Sequence, residues 1–148
     1  MDPHRLRALN YLARREHSRV ELSRKLSRYA DAAEITPVLD ELAAQGLLSH
    51  ARFVESAHRV WYAKGYGPRW MLARFAQLGV TSDEVTSWWL TEQPDWVACA
   101  RRVYQKKFPQ AVTSFADRAK RIRFLIQRGF PQDIIHSVIG VGDECESG

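Results

Sequence analysis

Five histidines (His4, His17, His50, His58 and His136) and two cysteines (Cys99 and Cys145) are the side chains of this sequence best suited to hold a metal or lead a nucleophilic attack. A zinc site needs such ligands at short, regular spacing, so that one turn or one helix face delivers two of them together. Here the histidines are scattered and form no such pair. Cys99 falls inside a helical pattern and Cys145 in a polar tail, which argues against a disulfide framework, and Cys99 reads as a small buried apolar group. No serine lies in a Gly-x-Ser-x-Gly turn, no glycine-rich loop precedes Lys-Ser or Lys-Thr, and neither cysteine has an evident histidine partner. The adjacent carboxylates Asp40-Glu41 and Asp83-Glu84 fall near helix starts or on solvated faces, where they offset the helix dipole rather than shuttle protons. The sequence therefore supports no enzyme, metal or cofactor.

The chemistry that remains is attraction by charge. Residues 1–50 carry eight Lys/Arg against seven Asp/Glu and residues 51–100 five against five, but residues 101–128 carry nine against one, Asp117. Nearly all of the formal net charge of +5 thus lies in the last third. The segment ADRAKRIRFLIQRG sets Arg118, Lys120, Arg121, Arg123 and Arg128 around Ile122, Leu125 and Ile126, which are expected to face inward. With Arg101, Arg102, Lys106 and Lys107 it should give one side of the molecule a strong positive potential, suited to a polyanion or an acidic protein. Long cations also simply solvate helices and cover apolar edges with their stems. A second basic stretch, AKGYGPRW, places Lys64 and Arg69 on either side of a turn holding Tyr66. That ring could meet a phosphate, a base or a partner's groove, or it could pack back on the core as part of a tight connector. Trp61, Trp88 and Trp89 sit at helical spacings that suit packing.

These side chains are positioned by helices. Gly and Pro separate stretches of helical periodicity, and no alternation is long enough for a strand, so the chain reads as all-α. Ser18 and Glu21 have the form of a capping box. Thr36-Pro37 reads as the start of a later helix with Val38, Leu39 and Leu42 inward and Gly46 after its end. Phe53, Ala57, Val60 and Trp61 recur at the steps of Trp96, Ala100, Val103 and Tyr104, so Arg52–Lys64 and Trp96–Lys107 read as two copies of one helix. Each is followed by a second helix, one with Met71, Leu72, Phe75 and Leu78 inward, the other with Phe115, Ile122, Leu125 and Ile126. LGVTSDEVTSWW and RGFPQDIIHSVI then superpose at an offset of 50, Gly79 on Gly129 and Val85 on Ile135. An offset of 49 carries Leu22 onto Met71 and Leu26 onto Phe75, with a short shift needed for the next helix. The expectation is three tandem three-helix, helix-turn-helix-like repeats at 1–46, 47–92 and 93–140, forming an elongated, curved array, with an acidic flexible tail at 141–148. The piece FPQAVTSF should be a lengthened loop in the third copy.

With these residues in place, GLLSHARFVESAHRVWYAKGYGPRWMLARFAQLGV resembles the central region of the RecX family, bacterial regulators of the recombinase RecA. Gly46-Leu47, Arg52-Phe53, Gly67-Pro68 and Gly79-Val80 stand at that family's landmarks, and VLDEL at 38–42 and FLIQRGF at 124–130 fit as well. Ser49-His50 replaces acidic residues often found there, and Val54 replaces an alanine. The resemblance implies a non-enzymatic protein that binds in the groove of the RecA–DNA filament and restrains ATP hydrolysis, strand exchange and SOS-repressor cleavage.

The expected partner is thus the RecA nucleoprotein filament, with weak direct binding of single- or double-stranded DNA. Lys64, Tyr66, Arg69 and the cations of the third repeat are the expected contact residues. No apolar run has the length of a membrane span and no signal peptide is evident, so a monomer in the cytoplasm is expected. A DNA-binding helix-turn-helix transcriptional regulator is the alternative, and a helical adaptor charged only for solubility is a third reading.

Overall fold

The computed structural model describes residues 2–140, so the tail read at 141–148 lies outside the described residues. Among the described residues there are nine α-helices and no strand. They are α1 (Pro3–Arg14), α2 (Arg19–Leu26), α3 (Ala32–Ala44), α4 (His50–Ala63), α5 (Pro68–Gln77), α6 (Ser82–Glu92), α7 (Trp96–Lys107), α8 (Phe115–Gln127) and α9 (Gln132–Ile139). None is long and apolar enough to cross a membrane.

Short polar side chains start most of these helices, because the first backbone amides of a helix have no partner within it. At α2 the Ser18 hydroxyl oxygen accepts the Glu21 amide at 3.0 Å, while the Ser18 amide donates to the Glu21 carboxylate at 3.1 Å, closing the expected capping box. Ser49 Oγ accepts the Arg52 amide at 3.2 Å, so α4 is capped without the acidic residues the family often has there. Thr81 and Glu84 form the same reciprocal pair before α6. Asp95 and Ser114 cap α7 and α8.

The start expected at Thr36-Pro37 is a correction. Asp31, whose carboxylate accepts the Glu34 amide at 3.0 Å, begins α3 at Ala32, and Pro37 lies inside the helix. Its ring removes the bond to the Ala33 carbonyl, and both Ala33 and Pro37 are exposed, where the loss costs least. With that start, Ile35, Val85 and Ile135 stand at one offset of 50 and all three are buried.

The chain packs into two compact units. The first contains residues up to His58 together with Phe75–Val85, and the second contains Arg59–Arg74 together with the residues from Thr86 onwards. Helices α4, α5 and α6 therefore supply side chains to both. In the first unit Ala8, Leu22, Leu26, Ile35, Val38, Leu39, Leu42 and Leu48 form one buried cluster. Full burial of each large aliphatic side chain contributes about 1.5–3 kcal/mol before entropy is counted. In the same unit Phe53 meets Phe75 edge-on, with ring centroids 6.2 Å apart.

The second unit is centred on Cys99, Ala100, Leu125, Phe130 and Ile135. Two glycines let backbones touch there. The Gly67 amide donates to the Arg128 carbonyl at 2.6 Å and the Arg69 amide to the Gly129 carbonyl at 3.0 Å. A Cβ on Gly67 would lie 2.7 Å from the Gly129 carbonyl carbon, and one on Gly129, whose φ is +95°, would lie 2.4 Å from the Trp70 amide nitrogen. This contact joins the start of α5 to the turn after α8, and so brings Lys64 and Arg128 together.

Candidate functional site

Helix α4 ends at Ala63, and its last carbonyls point towards two arginines from distant parts of the chain. Arg102 Nη2, on α7, donates to the Tyr62 carbonyl at 2.6 Å, and Arg128 Nη1, just after α8, donates to the Lys64 carbonyl at 3.0 Å. Cations suit this place because the carbonyl end of a helix carries partial negative charge. The Arg128 guanidinium also lies 4.6 Å over the Tyr66 ring, and Tyr66 stacks on Trp70 at 3.9 Å with 17° between the planes. A stacked indole and a guanidinium at those distances cannot share one face, so both faces of Tyr66 are taken. Tyr66 is thus packed against Trp70 and Arg128 and serves as a platform for the Arg128 guanidinium.

The fixed arginines line an open cavity of 490 Å³ together with Ala63, Lys64, Gly65, Tyr66, Val103 and Lys106. Four of the eight lining residues are cations and none is a carboxylate. Gly65 is needed at its edge, since its φ is +85° and a Cβ there would overlap Val103 at 2.6 Å. Cys99 sits in the core of the same unit, fully buried, with its Sγ 3.5 Å from the Tyr62 carbonyl. Burial pushes its thiol up to about 11, so it is neutral and packs as the sequence suggested. No three His, Cys, Asp or Glu side chains gather as a metal site among the described residues.

A second depression, of 540 Å³, has a different character. It is lined by Ile122, Ile126, Phe130 and Ile135 with Arg69, Arg118, Gln132 and His136. Sequence reasoning missed it because Ile126 and Phe115 were expected to face inward, whereas they are 56% and 67% exposed. Val60, also expected inward, is 46% exposed.

Arg121 takes an inward place on α8, only 5% exposed. Its Nε and Nη2 meet the two oxygens of Asp117 at 3.2 and 3.0 Å. Nη1 donates to Tyr104 Oη at 2.9 Å and to the Gln110 carbonyl at 2.8 Å, and Nη2 to the Ala111 carbonyl at 3.2 Å. Of the five N–H donors of a guanidinium, four make these hydrogen bonds, and Nη2 also pairs with the Asp117 carboxylate. Arg121 thus pins the helix-free segment 108–114, the expected lengthened loop, and presents nothing to a ligand. The Thr113 amide, and then Arg121, hold the Asp117 carboxyl below its usual range.

The twelve expected contact residues therefore separate. Lys64, Arg102, Lys106 and Arg128 surround one cavity above Tyr66, Arg69 and Arg118 flank the apolar one, and Arg121 is withdrawn. Arg101, Lys107, Lys120 and Arg123 are exposed and line neither. Arg101 reaches the Ser137 carbonyl at 3.4 Å, and Lys107 and Lys120 each lie 5.9 Å from a ring centroid, Phe124 and Phe108 respectively.

Comparison with known proteins bears on what such a surface serves. The family model for the third three-helix domain of RecX matches residues 94–139, and the one for the first three-helix domain of RecX matches residues 5–42. A Pseudomonas putida relative named Regulatory protein RecX is 40% identical over 138 residues, covering 92% of this chain and 88% of its own. The chain belongs to the RecX family. A second RecX, from Leptothrix cholodnii, is 39% identical over 139 residues, covering 93% of this chain and 87% of its own. The crystal structure of RecX from Lactobacillus salivarius shares the fold, with a TM-score of 0.72 at 20% identity over 98% of this chain and 96% of that one. The RecX domain matches fall on α1–α3 and α7–α9. The Gly67-Pro68 and Arg128-Gly129-Phe130 landmarks that carried the RecX resemblance are the two segments in backbone contact beside the cationic cavity.

Proposed function

We propose that this RecX-family protein binds in the helical groove of a RecA–DNA filament and, by occupying it, restrains RecA's ATP hydrolysis, strand exchange and cleavage of the SOS repressor. The observation that carries this reading is the carboxylate-free cavity of Lys64, Arg102, Lys106 and Arg128. It lies in a unit whose described residues hold thirteen Lys/Arg against four Asp/Glu. Fixed guanidiniums beside mobile ammonium groups suit phosphate oxygens without reading bases, so direct binding of free DNA is weak and sequence-independent. Occupying a groove needs no catalytic step, and the protein acts as a cytoplasmic monomer.

The test is a titration of RecA's ATPase on single-stranded DNA. ATP hydrolysis should fall as the protein is added, and Lys64→Glu with Lys106→Glu should raise the concentration needed by roughly tenfold or more. The side chains of these exposed lysines make no bond to the backbone, unlike those of Arg102 and Arg128, so the change acts on the surface. Full inhibition by the double variant would sink the assignment. Sequence-selective duplex binding without RecA would favour the transcriptional regulator instead.

A further inference from the structure

The apolar depression beside α8 and α9 differs from the cationic cavity in the composition of its lining. The cavity proposed for phosphate contains two lysines, Lys64 and Lys106, whereas the depression contains none. Its cations are Arg69 and Arg118, and its floor is formed by Phe130 and Ile135, both at most 2% exposed. Protein interfaces are enriched in arginine and aromatic residues and depleted of lysine, with an apolar centre inside a polar rim.

Two further observations point the same way. Phe115, Arg118, Ile122 and Ile126 follow steps of three, four and four, so they form one stripe along α8. The stripe's two most exposed members, Phe115 and Ile126, are apolar, although a solvated helix face would carry polar residues there. Arg118 donates from Nη2 to the Gly140 carbonyl at 2.6 Å, while its Nε is buried without a hydrogen-bond partner. Burying an unmatched charged donor is costly, and Arg118 pairs with no carboxylate among the described residues, so its positive charge is left without a counter-charge beside the depression. No carboxylate lines the depression among the described residues.

We infer that this depression is a protein-docking site that takes an apolar side chain flanked by a carboxylate on the partner, with Ile122, Ile126, Phe130 and Ile135 holding the apolar group and Arg69 and Arg118 meeting the acid. The inference rests on the filament-binding reading for the partner's identity. It divides the labour within the second unit: the lysine-containing cavity takes phosphate, and the isoleucine-lined depression takes protein.

The experiment compares affinity for RecA filaments assembled on single-stranded DNA with affinity for the same bare oligonucleotide, for wild type, Ile126→Asn, Ile126→Leu and Lys106→Glu. Ile126 is largely exposed, so Ile126→Asn keeps the fold and the charge, which matching thermal melts would establish. It should weaken filament binding by roughly tenfold and leave oligonucleotide binding within about twofold, while Ile126→Leu restores filament binding. Lys106→Glu should weaken oligonucleotide binding. Filament affinity unchanged in Ile126→Asn overturns the docking site alone. Wild type that binds the oligonucleotide but gains nothing from RecA overturns both the docking site and the reading beneath it. Self-association in sedimentation that disappears in Ile126→Asn would assign the depression to a second copy of this chain and overturn the proposal.

Discussion

Arg121 lies on a strongly basic helix, yet it is buried and bonded internally, so its removal should act on folding and much less on ligand binding. Arg121→Met keeps a long apolar stem but abandons Asp117, Tyr104 Oη and the carbonyls of Gln110 and Ala111. The midpoint of thermal unfolding should fall by roughly 5 °C. Arg123→Met, at an exposed position on the same helix, should move it by less than about 1 °C. Both variants lose one positive charge, so equal shifts would mean that net charge, and not the buried network, sets the effect. The repeat register of the sequence carries this distinction. The offset of 50 that matched Val85 to Ile135 also places Arg121 on the fully buried Met71 and Ile126 on the exposed Ala76. Residue type argued for a solvated arginine and a buried isoleucine, but repeat position argued for the reverse, and packing follows position. What the repeat could not supply is the reason an arginine fits there: the carbonyls of the inserted segment 108–114 exist only in the third copy.

Elements were most legible where a side chain satisfies the backbone locally, as at Ser18 and Ser49, and least where a strong local signal competed. Thr36-Pro37 has the form of a helix start, but Asp31 provides an earlier one and the exposed face tolerates the proline. The connector between α1 and α2 holds a feature that local pattern did not reveal. His17 is 1% exposed, with Nδ1 3.0 Å from the Arg15 carbonyl and Nε2 2.7 Å from Lys25 Nζ. The carbonyl can only accept, so Nδ1 carries the proton and Nε2 accepts from the ammonium. Burial holds the His17 pKa below 6.5 against the hydrogen bond to the Arg15 carbonyl, which raises it; the charges of Arg15 and Lys25 add to the lowering, and that of Glu21 opposes them. An unfolded chain takes up this proton near pH 6.5 when the folded one does not. The stability contribution is therefore complete above pH 6.5 and is lost as pH falls below it, with a slope of at most about 1.4 kcal/mol per pH unit per histidine. Burial lowers His58 in the same direction. Urea unfolding of wild type should show a larger loss between pH 7 and pH 5 than His17→Gln, whose amide can keep both contacts without taking a proton. Equal losses would assign the acid sensitivity to His58 and the carboxylates.

Across the whole molecule the net charge of +5 hides a segregation that the packing sharpens. The described residues of the first unit carry nine Lys/Arg against ten Asp/Glu, and those of the second carry thirteen against four. Arginines of the first unit sit on carboxylates: Arg15 on Glu21 at 2.7 Å, Arg52 on Glu16 at 2.9 Å, and Arg19 on Asp40. A polyanion gains little from such paired cations, because it must displace a carboxylate to reach them. It gains more from Lys64 and Lys106, since each phosphate contact releases condensed counterions into solution. The excess of cations at 101–128 was visible in the sequence, but the sequence alone did not show that α4 and the start of α5 would join it through the Gly67–Gly129 contact. Binding to a labelled oligothymidine, followed by anisotropy between about 50 and 200 mM salt, separates the two kinds of cation. Lys64→Gln with Lys106→Gln should reduce the slope of log K against log salt by about 1.4, close to 0.7 for each lost contact on a single strand. Arg19→Gln removes a charge from the first unit and should leave the slope unchanged. If Arg19→Gln alone lowered the slope by half as much as the lysine pair, each cation would count equally, and total charge rather than the second unit's surface would govern association.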